Sequence, residues 1–139
     1  MSTEVIRLQN VNIYQGSNMI LHEVNLQINS GEFVYLIGKT GSGKSSLLKT
    51  LYGELPLTDG EGEVAGTDLR KLNRSKVHLL RRQLGIVFQD FQLLTDRTVA
   101  ENLDFVLRST GWKDAAKRKA RIAEVLSMVG LATKDFKMP

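Results

Sequence analysis

Phe33-Val34-Tyr35-Leu36-Ile37-Gly38-Lys39-Thr40-Gly41-Ser42-Gly43-Lys44-Ser45-Ser46-Leu47-Leu48 is the stretch that decides the fold. Its first five residues are apolar without alternation. Such a run predicts a short strand buried on both faces, as in a parallel sheet. Residues 38–45 then fill the pattern G-x-x-x-x-G-K-[ST] with Gly38, Gly43, Lys44 and Ser45. Ser46 to Tyr52 predicts a helix carrying Leu47, Leu48 and Leu51 on one face, with Gly53 where glycine often stops a helix. Strand, glycine loop and helix form the context that a phosphate-binding loop requires.

The residue types have physical reasons. Glycines let the backbone turn sharply, so that successive N–H groups converge on phosphate oxygens. The helix that follows adds the positive end of its dipole. Gly38, Lys39, Thr40, Gly41, Ser42, Gly43, Lys44 and Ser45 are therefore the candidate nucleotide contacts. Lys44 brings a mobile ammonium to the β- and γ-phosphates, and Ser45 offers a hydroxyl to the Mg²⁺ that bridges them. ATP with Mg²⁺ is the expected ligand. A dinucleotide fingerprint is the competing glycine motif. It would need glycine or alanine at position 46, which is Ser46.

Upstream, residues 5–14 are rich in β-branched side chains. Ile6 and Leu8, then Val11 and Ile13, alternate with polar neighbours, and the phase slips between the pairs as a bulge or bend would allow. Gln15 to Asn18 reads as a turn. Val24, Leu26 and Ile28 alternate with Asn25, Gln27 and Asn29, a half-buried strand, and Ser30-Gly31-Glu32 is a turn. Downstream, residues 56–62 read as a loop and 62–66 as a short strand. Ser75 is placed to cap a helix with Val77, Leu79 and Leu80 that ends before Gly85. Gly85-Ile86-Val87-Phe88 predicts another buried strand.

From there the pattern is helical. Thr98-Val99-Ala100-Glu101 is a capping-box signature that opens a helix with the stripe Val99, Leu103, Val106 and Leu107. A last helix is expected from about Asp114 to Val129, with Ile122, Val125, Leu126 and Val129 on one face. The expected organisation is a nucleotide-binding part over 1–90 and the start of a helical part over 91–139.

Composition narrows the classes. The apolar share of 42% argues against disorder. No apolar run approaches the roughly 20 residues that span a bilayer, and Met1-Ser2-Thr3-Glu4 lacks the start of a secretory signal. With no cysteine, disulfides and thiol chemistry are excluded, which fits a cytoplasmic protein. Nineteen cations against fifteen anions is too modest an excess to imply nucleic acid, so none is expected as a partner. Lys113, Lys117, Arg118, Lys119 and Arg121 read as a solvated helix face opposite the apolar stripe, with lipid headgroups or a partner as the alternative. Trp112 packs over an interhelix turn or meets a membrane partner. His22 and His78 read as ordinary surface or helix residues.

Tyr14 ahead of the loop, residues 38–45, and Gln89 about 45 residues later together resemble the ATP-binding subunits of ABC transporters. The resemblance covers essentially the whole chain. It implies an α/β fold, a P-loop NTPase of the ABC ATPase type with an N-terminal β-subdomain, a phosphate-loop core and the start of a helical subdomain. Leu80 to Leu94 and Asp96-Arg97-Thr98-Val99-Ala100-Glu101-Asn102-Leu103 most resemble the cell-division subfamily of the FtsE type. Lipoprotein-releasing and macrolide-exporting ATPases share the region around Gln89. The resemblance implies that Tyr14 stacks on adenine, although from its strand alone it is equally a core tyrosine. It implies that Gln89 reaches Mg²⁺ and the attacking water, giving Lys44 and Gln89 as catalytic and Ser45 and Gln89 as metal residues. Ser46 would add a hydroxyl to the phosphates. Asp90 is a poor magnesium aspartate because Gln89, not an apolar residue, precedes it. An FtsX-like integral membrane subunit, homodimerisation of ATPase subunits, and a cytoplasmic location on the inner face of the plasma membrane follow as expectations.

The family's Leu-Ser-Gly-Gly-Gln-type signature, its apolar strand ending in Asp-Glu and its switch histidine are not found here. The chain therefore looks incomplete, the N-terminal part of a longer subunit, with a sheet edge left to cover. Alone it is expected to bind ATP weakly or not at all and to hydrolyse it negligibly. A non-hydrolytic nucleotide switch is the rival reading. A small-molecule kinase is weaker, because it leaves Gln89 and Asp96 to Val99 unexplained.

Overall fold

The computed structural model describes residues 3–139. They form two units, residues 3–85 and 86–139.

The first unit is built on β1 (Glu4–Gln15), the strand with the slipped pattern. It pairs antiparallel with β2 (Asn18–Asn29) on one side and β3 (Asp59–Val64) on the other. β4 (Thr67–Asp68) completes an antiparallel sheet of order β2-β1-β3-β4. β1 and β2 join through Gly16-Ser17, with Gly16 at φ 62, the left-handed conformation that tight hairpins place at their first central residue.

The slip is a pair of compensating bulges. Between Leu8↔Leu26 and Val11↔Val24 the extra residue lies on β1; between Val11↔Val24 and Ile13↔Leu21 it lies on β2. Asn10 (φ 51) and Glu23 (φ 48) take the left-handed conformations the bulges need. The amides they free are satisfied by asparagines. Asn10 N donates to Asn25 Oδ1 (3.0 Å), and Glu23 N donates to Asn12 Oδ1 (2.8 Å). The result is that Leu8, Val11 and Ile13 all face inward, where they meet Leu47, Leu57, Val64, Leu69 and Leu80.

β3 differs from the expected loop over 56–62. Asp59-Gly60-Glu61-Gly62 is strand because its glycines allow a close approach that a side chain would block. A Cβ at Gly60 would lie 2.4 Å from Asn10 O, and one at Gly62 would lie 2.8 Å from Leu57 Cδ2.

The buried strands expected at 33–37 and 85–88 are not strands. Phe33, Tyr35 and Ile37 are 82, 81 and 86% exposed, and Val87 is 95% exposed. A strand buried on both faces needs neighbours on both edges, and no strand pairs with either stretch among the described residues.

α1 (Lys44–Leu51) buries Ser46, Leu47 and Thr50, whereas Leu48, expected on the same face, is half exposed. Gly53 follows at φ 80 and donates to Thr50 O, as expected of a helix stop. A 3₁₀ turn (Leu69–Lys71) and α2 (Val77–Arg81) close the unit, with Leu80 fully buried. Ser75 does not cap α2: its hydroxyl donates to Asn73 Oδ1 (2.6 Å) instead.

The second unit holds α3 (Val99–Ser109) and α4 (Ala115–Met128). Thr98 Oγ1 accepts from Glu101 N (3.1 Å) and donates to the Glu101 carboxylate (3.0 Å), so the cap forms with the carboxylate on the hydroxyl. Asp114 caps α4 by accepting from Ala116 N and Lys117 N. Ile122 and Leu126 are buried, but Val106 and Val129 are largely exposed. Arg118 leaves the expected solvated face. Its Nε donates to Asp104 Oδ1 (2.7 Å) and its Nη1 to the carbonyls of Trp112 and Lys113, tying α4 to α3.

Candidate functional site

The loop between residues 38 and 45 has the backbone that its glycines predict. Gly41 (φ 81) and Gly43 (φ 98) are left-handed. Gly43 is the residue from which α1 starts, with its carbonyl accepting from Leu47 N (2.9 Å). A Cβ at Gly43 would stand 2.9 Å from Leu21 Cδ2 and 3.0 Å from Ile20 Cγ2, so the loop rests directly on β2. A Cβ at Gly38 would stand 2.6 Å from Ser42 Oγ. Glycine is thus required at 43 by backbone conformation and closeness, whereas at 38 rotation of the Ser42 hydroxyl would make room for a Cβ.

Lys44 is the first residue of α1, where a cation is unfavourable because the helix dipole is positive there. Its ammonium is turned back over the loop and donates to Gly38 O and to Lys39 O (2.9 Å). Gly38, Lys39, Thr40, Gly41, Ser42 and Ser45 are exposed around it. Amide donors, a helix N-terminus and a lysine bent over them make a receptor for a polyphosphate.

Ser46 is buried, and its Oγ accepts from Gln15 Nε2 (3.1 Å), tying the first turn of α1 to the end of β1. That contact brings the loop and the neighbourhood of Tyr14 together in one unit. Tyr14 is half-buried, and its hydroxyl donates to Asp59 Oδ2 (2.8 Å). Gln89 belongs to the second unit and is exposed there.

Two residues that sequence reasoning passed over matter here. Asp59 lies in the stretch whose glycines read as loop; the sign available is its place just before the close-packed Gly60. Asn102 is a buried polar residue of α3 whose carboxamide clamps the chain ahead of the helix. Its Oδ1 accepts from Leu94 N (2.8 Å), and its Nδ2 donates to the carbonyls of Leu94 (2.9 Å), Thr98 (3.0 Å) and Arg97 (3.3 Å). Phe91 (φ 60) and Gln92 (φ 51), after Gln89, are consecutive left-handed residues, a conformation that costs energy without glycine.

The Tyr14–Asp59 contact makes a pH prediction. The phenol hydrogen bond, and then that of Asn12, holds the Asp59 carboxyl below its usual range. The same bond, then burial and the Asp59 charge, pushes the Tyr14 phenol up. A lowered carboxyl stabilises the fold above its unfolded value of about 3.9 and loses that as pH falls through the folded value. A raised phenol stabilises it below about 10 and loses that as pH rises through the folded value. The destabilisation caused by Tyr14→Phe should therefore be constant between about pH 4 and 10 and shrink at both ends. Denaturant midpoints across pH 3 to 11, at about unit steps, check this.

Together, the hairpin-based sheet, the glycine loop opening α1 and the bent-back lysine define a phosphate-loop nucleotide-binding domain. A family model described as ABC transporter matches residues 21–138. The chain belongs to that family. It is 43% identical over 120 residues to the methionine import ATP-binding protein MetN of Nocardia farcinica, covering 86% of this chain and 36% of that protein. It is 38% identical over 126 residues to the cell division ATP-binding protein FtsE of Streptococcus pneumoniae, covering 91% of this chain and 54% of that protein. Among solved structures, a dimeric ATP-binding cassette in a post-hydrolysis state, bound to ADP and Pi, superposes with a TM-score of 0.82 at 32% identity. That match covers 96% of this chain and 61% of the other. The chain thus spans between about a third and three-fifths of the length of these relatives.

Proposed function

We propose that the protein is the ATP-binding part of an ABC-type complex in cell division, binding and hydrolysing ATP to drive an FtsX-like membrane subunit. The observation that carries nucleotide binding is the Lys44 ammonium bent over the left-handed glycines of its own loop. On ATP binding it exchanges two carbonyl acceptors for phosphate oxygens, a stronger, charge-assisted pairing. Ser45, exposed in the first turn of α1, has the hydroxyl suited to Mg²⁺. Among the described residues there is no cluster of three or more His, Cys, Asp or Glu. This donor set fits a hard cation that keeps waters and shares phosphate oxygens. When bound, Mg²⁺ would neutralise charge developing on the phosphates. In the proposed whole assembly Tyr14 stacks on adenine, Ser46 adds a phosphate contact, Gln89 meets the metal and the attacking water, and two ATPase subunits pair. The 1–90 and 91–139 parts serve as nucleotide-binding part and start of the helical part. No described helix is long and apolar enough to cross a membrane; the role proposed is a peripheral one on the cytoplasmic face.

The cell-division assignment is supported by the FtsE likeness over 91% of the chain and by the Asp96–Leu103 stretch. The MetN likeness favours a second reading, an ATPase for methionine import. Depleting the gene in its own host separates them. The first reading expects a division block with methionine uptake unchanged; lost uptake with normal division establishes the second.

A further inference from the structure

The hydrogen bonds around Tyr14 form a chain that begins in the backbone. Asn12 Oδ1 accepts from the Glu23 amide at the β2 bulge (2.8 Å) and lies 3.0 Å from His22 Nδ1. With its oxygen so engaged, the Asn12 amide nitrogen donates to Asp59 Oδ2 (3.3 Å), the oxygen that also accepts from Tyr14 (2.8 Å). Asp59 cannot drift, because it pairs in register with Asn12 and precedes Gly60, whose approach to Asn10 O leaves no room for a Cβ. The next residue after Tyr14, Gln15, is bonded to Ser46 at the start of α1. The phenol ring of the residue next to that link is thereby anchored at its far end by Asp59.

We propose that Asp59, oriented by Asn12, is a positioning residue that holds the Tyr14 ring as a platform for the adenine base. The inference rests on the reading that Tyr14 stacks on adenine. A ring already fixed loses little further freedom on binding, and immobilising a free side chain is a recognised cost of association. Asp59 does not touch the nucleotide in this role. Its influence runs through the phenol hydroxyl and is confined to the base, leaving the phosphates to the loop.

NMR titrations of the full chain with ATP and with inorganic tripolyphosphate, carried to millimolar ligand, test it. Asp59→Ala and Tyr14→Phe are each expected to weaken ATP about 2- to 12-fold, the double variant no further, and tripolyphosphate not at all. Asp59→Asn keeps an oxygen for the phenol and is expected to stay within about twofold. Tyr14→Phe retains the ring, so it carries the test if Asp59→Ala fails to fold. Unchanged ATP affinity in Asp59→Ala, beside a loss in Tyr14→Ala, overturns the positioning role and leaves stacking intact. A Tyr14→Ala variant that treats ATP as the unsubstituted chain does overturns both. A double variant whose losses add overturns the route through the phenol.

Discussion

Lys44→Ala is expected to lower the affinity for ATP by about 10- to 150-fold, the equivalent of losing one hydrogen bond to a charged group. The fold should be indifferent. Among the described residues, the ammonium has no hydrogen-bond partner beyond its own loop carbonyls, Gly38 O and Lys39 O. Alanine is also the better helix former, and it removes a cation from the positive end of α1. Unfolding stability should therefore stay within about 0.5 kcal/mol or rise slightly. A lysine that is locally unfavourable yet harmless to remove is what a site built for a ligand looks like. Calorimetric titration beside a denaturation curve separates the two effects. An affinity loss that tracks a stability loss would contradict this account.

Asn102→Ala is expected to destabilise the second unit by roughly 1–3 kcal/mol. Its carboxamide satisfies both backbone groups of Leu94 and two further carbonyls at the start of α3. Alanine removes the partner of the Leu94 amide and of the Arg97 carbonyl, whereas Leu94 O and Thr98 O keep the backbone donors Arg97 N and Asn102 N. Asn102→Asp discriminates the cause. It keeps the acceptor for Leu94 N but sets a carboxylate against three carbonyls, so at neutral pH it should be at least as damaging as alanine. Trp112 is the only tryptophan and lies in this unit, so its fluorescence reports the unfolding. A shift below about 0.5 kcal/mol for both variants would mean the clamp is redundant.

The phosphate loop was legible because its spacing, glycines and following helix all state one backbone path, and Gly41, Gly43 and α1 follow it. The slip in β1 was legible as well, because a one-residue phase change in a strand has few physical causes, and two bulges supply it. The strand at Asp59–Val64 was hidden by its glycines, which read as loop until the close approach to Asn10 O is known. Phe33–Ile37 reads as a buried strand because its side chains suit one. Burial, however, belongs to neighbours across the sheet, which a local pattern does not contain. Arg118 and Asn102 were missed for a shared reason. A polar residue inside a helical pattern looks solvated, and only three-dimensional partners such as Asp104 or Leu94 reveal otherwise. The family likeness reached the subunit class. It did not choose between division and import, because relatives of both kinds match at 38% and 43% identity.

The central claim is that residues 38–46 receive a polyphosphate. Heteronuclear NMR of the full chain, titrated with ATP and Mg²⁺, tests it most directly. The account predicts that the largest amide shifts fall on Gly38 to Ser46, and that they vanish in Lys44→Ala. Shifts centred elsewhere in the chain, or undiminished in Lys44→Ala, would contradict it.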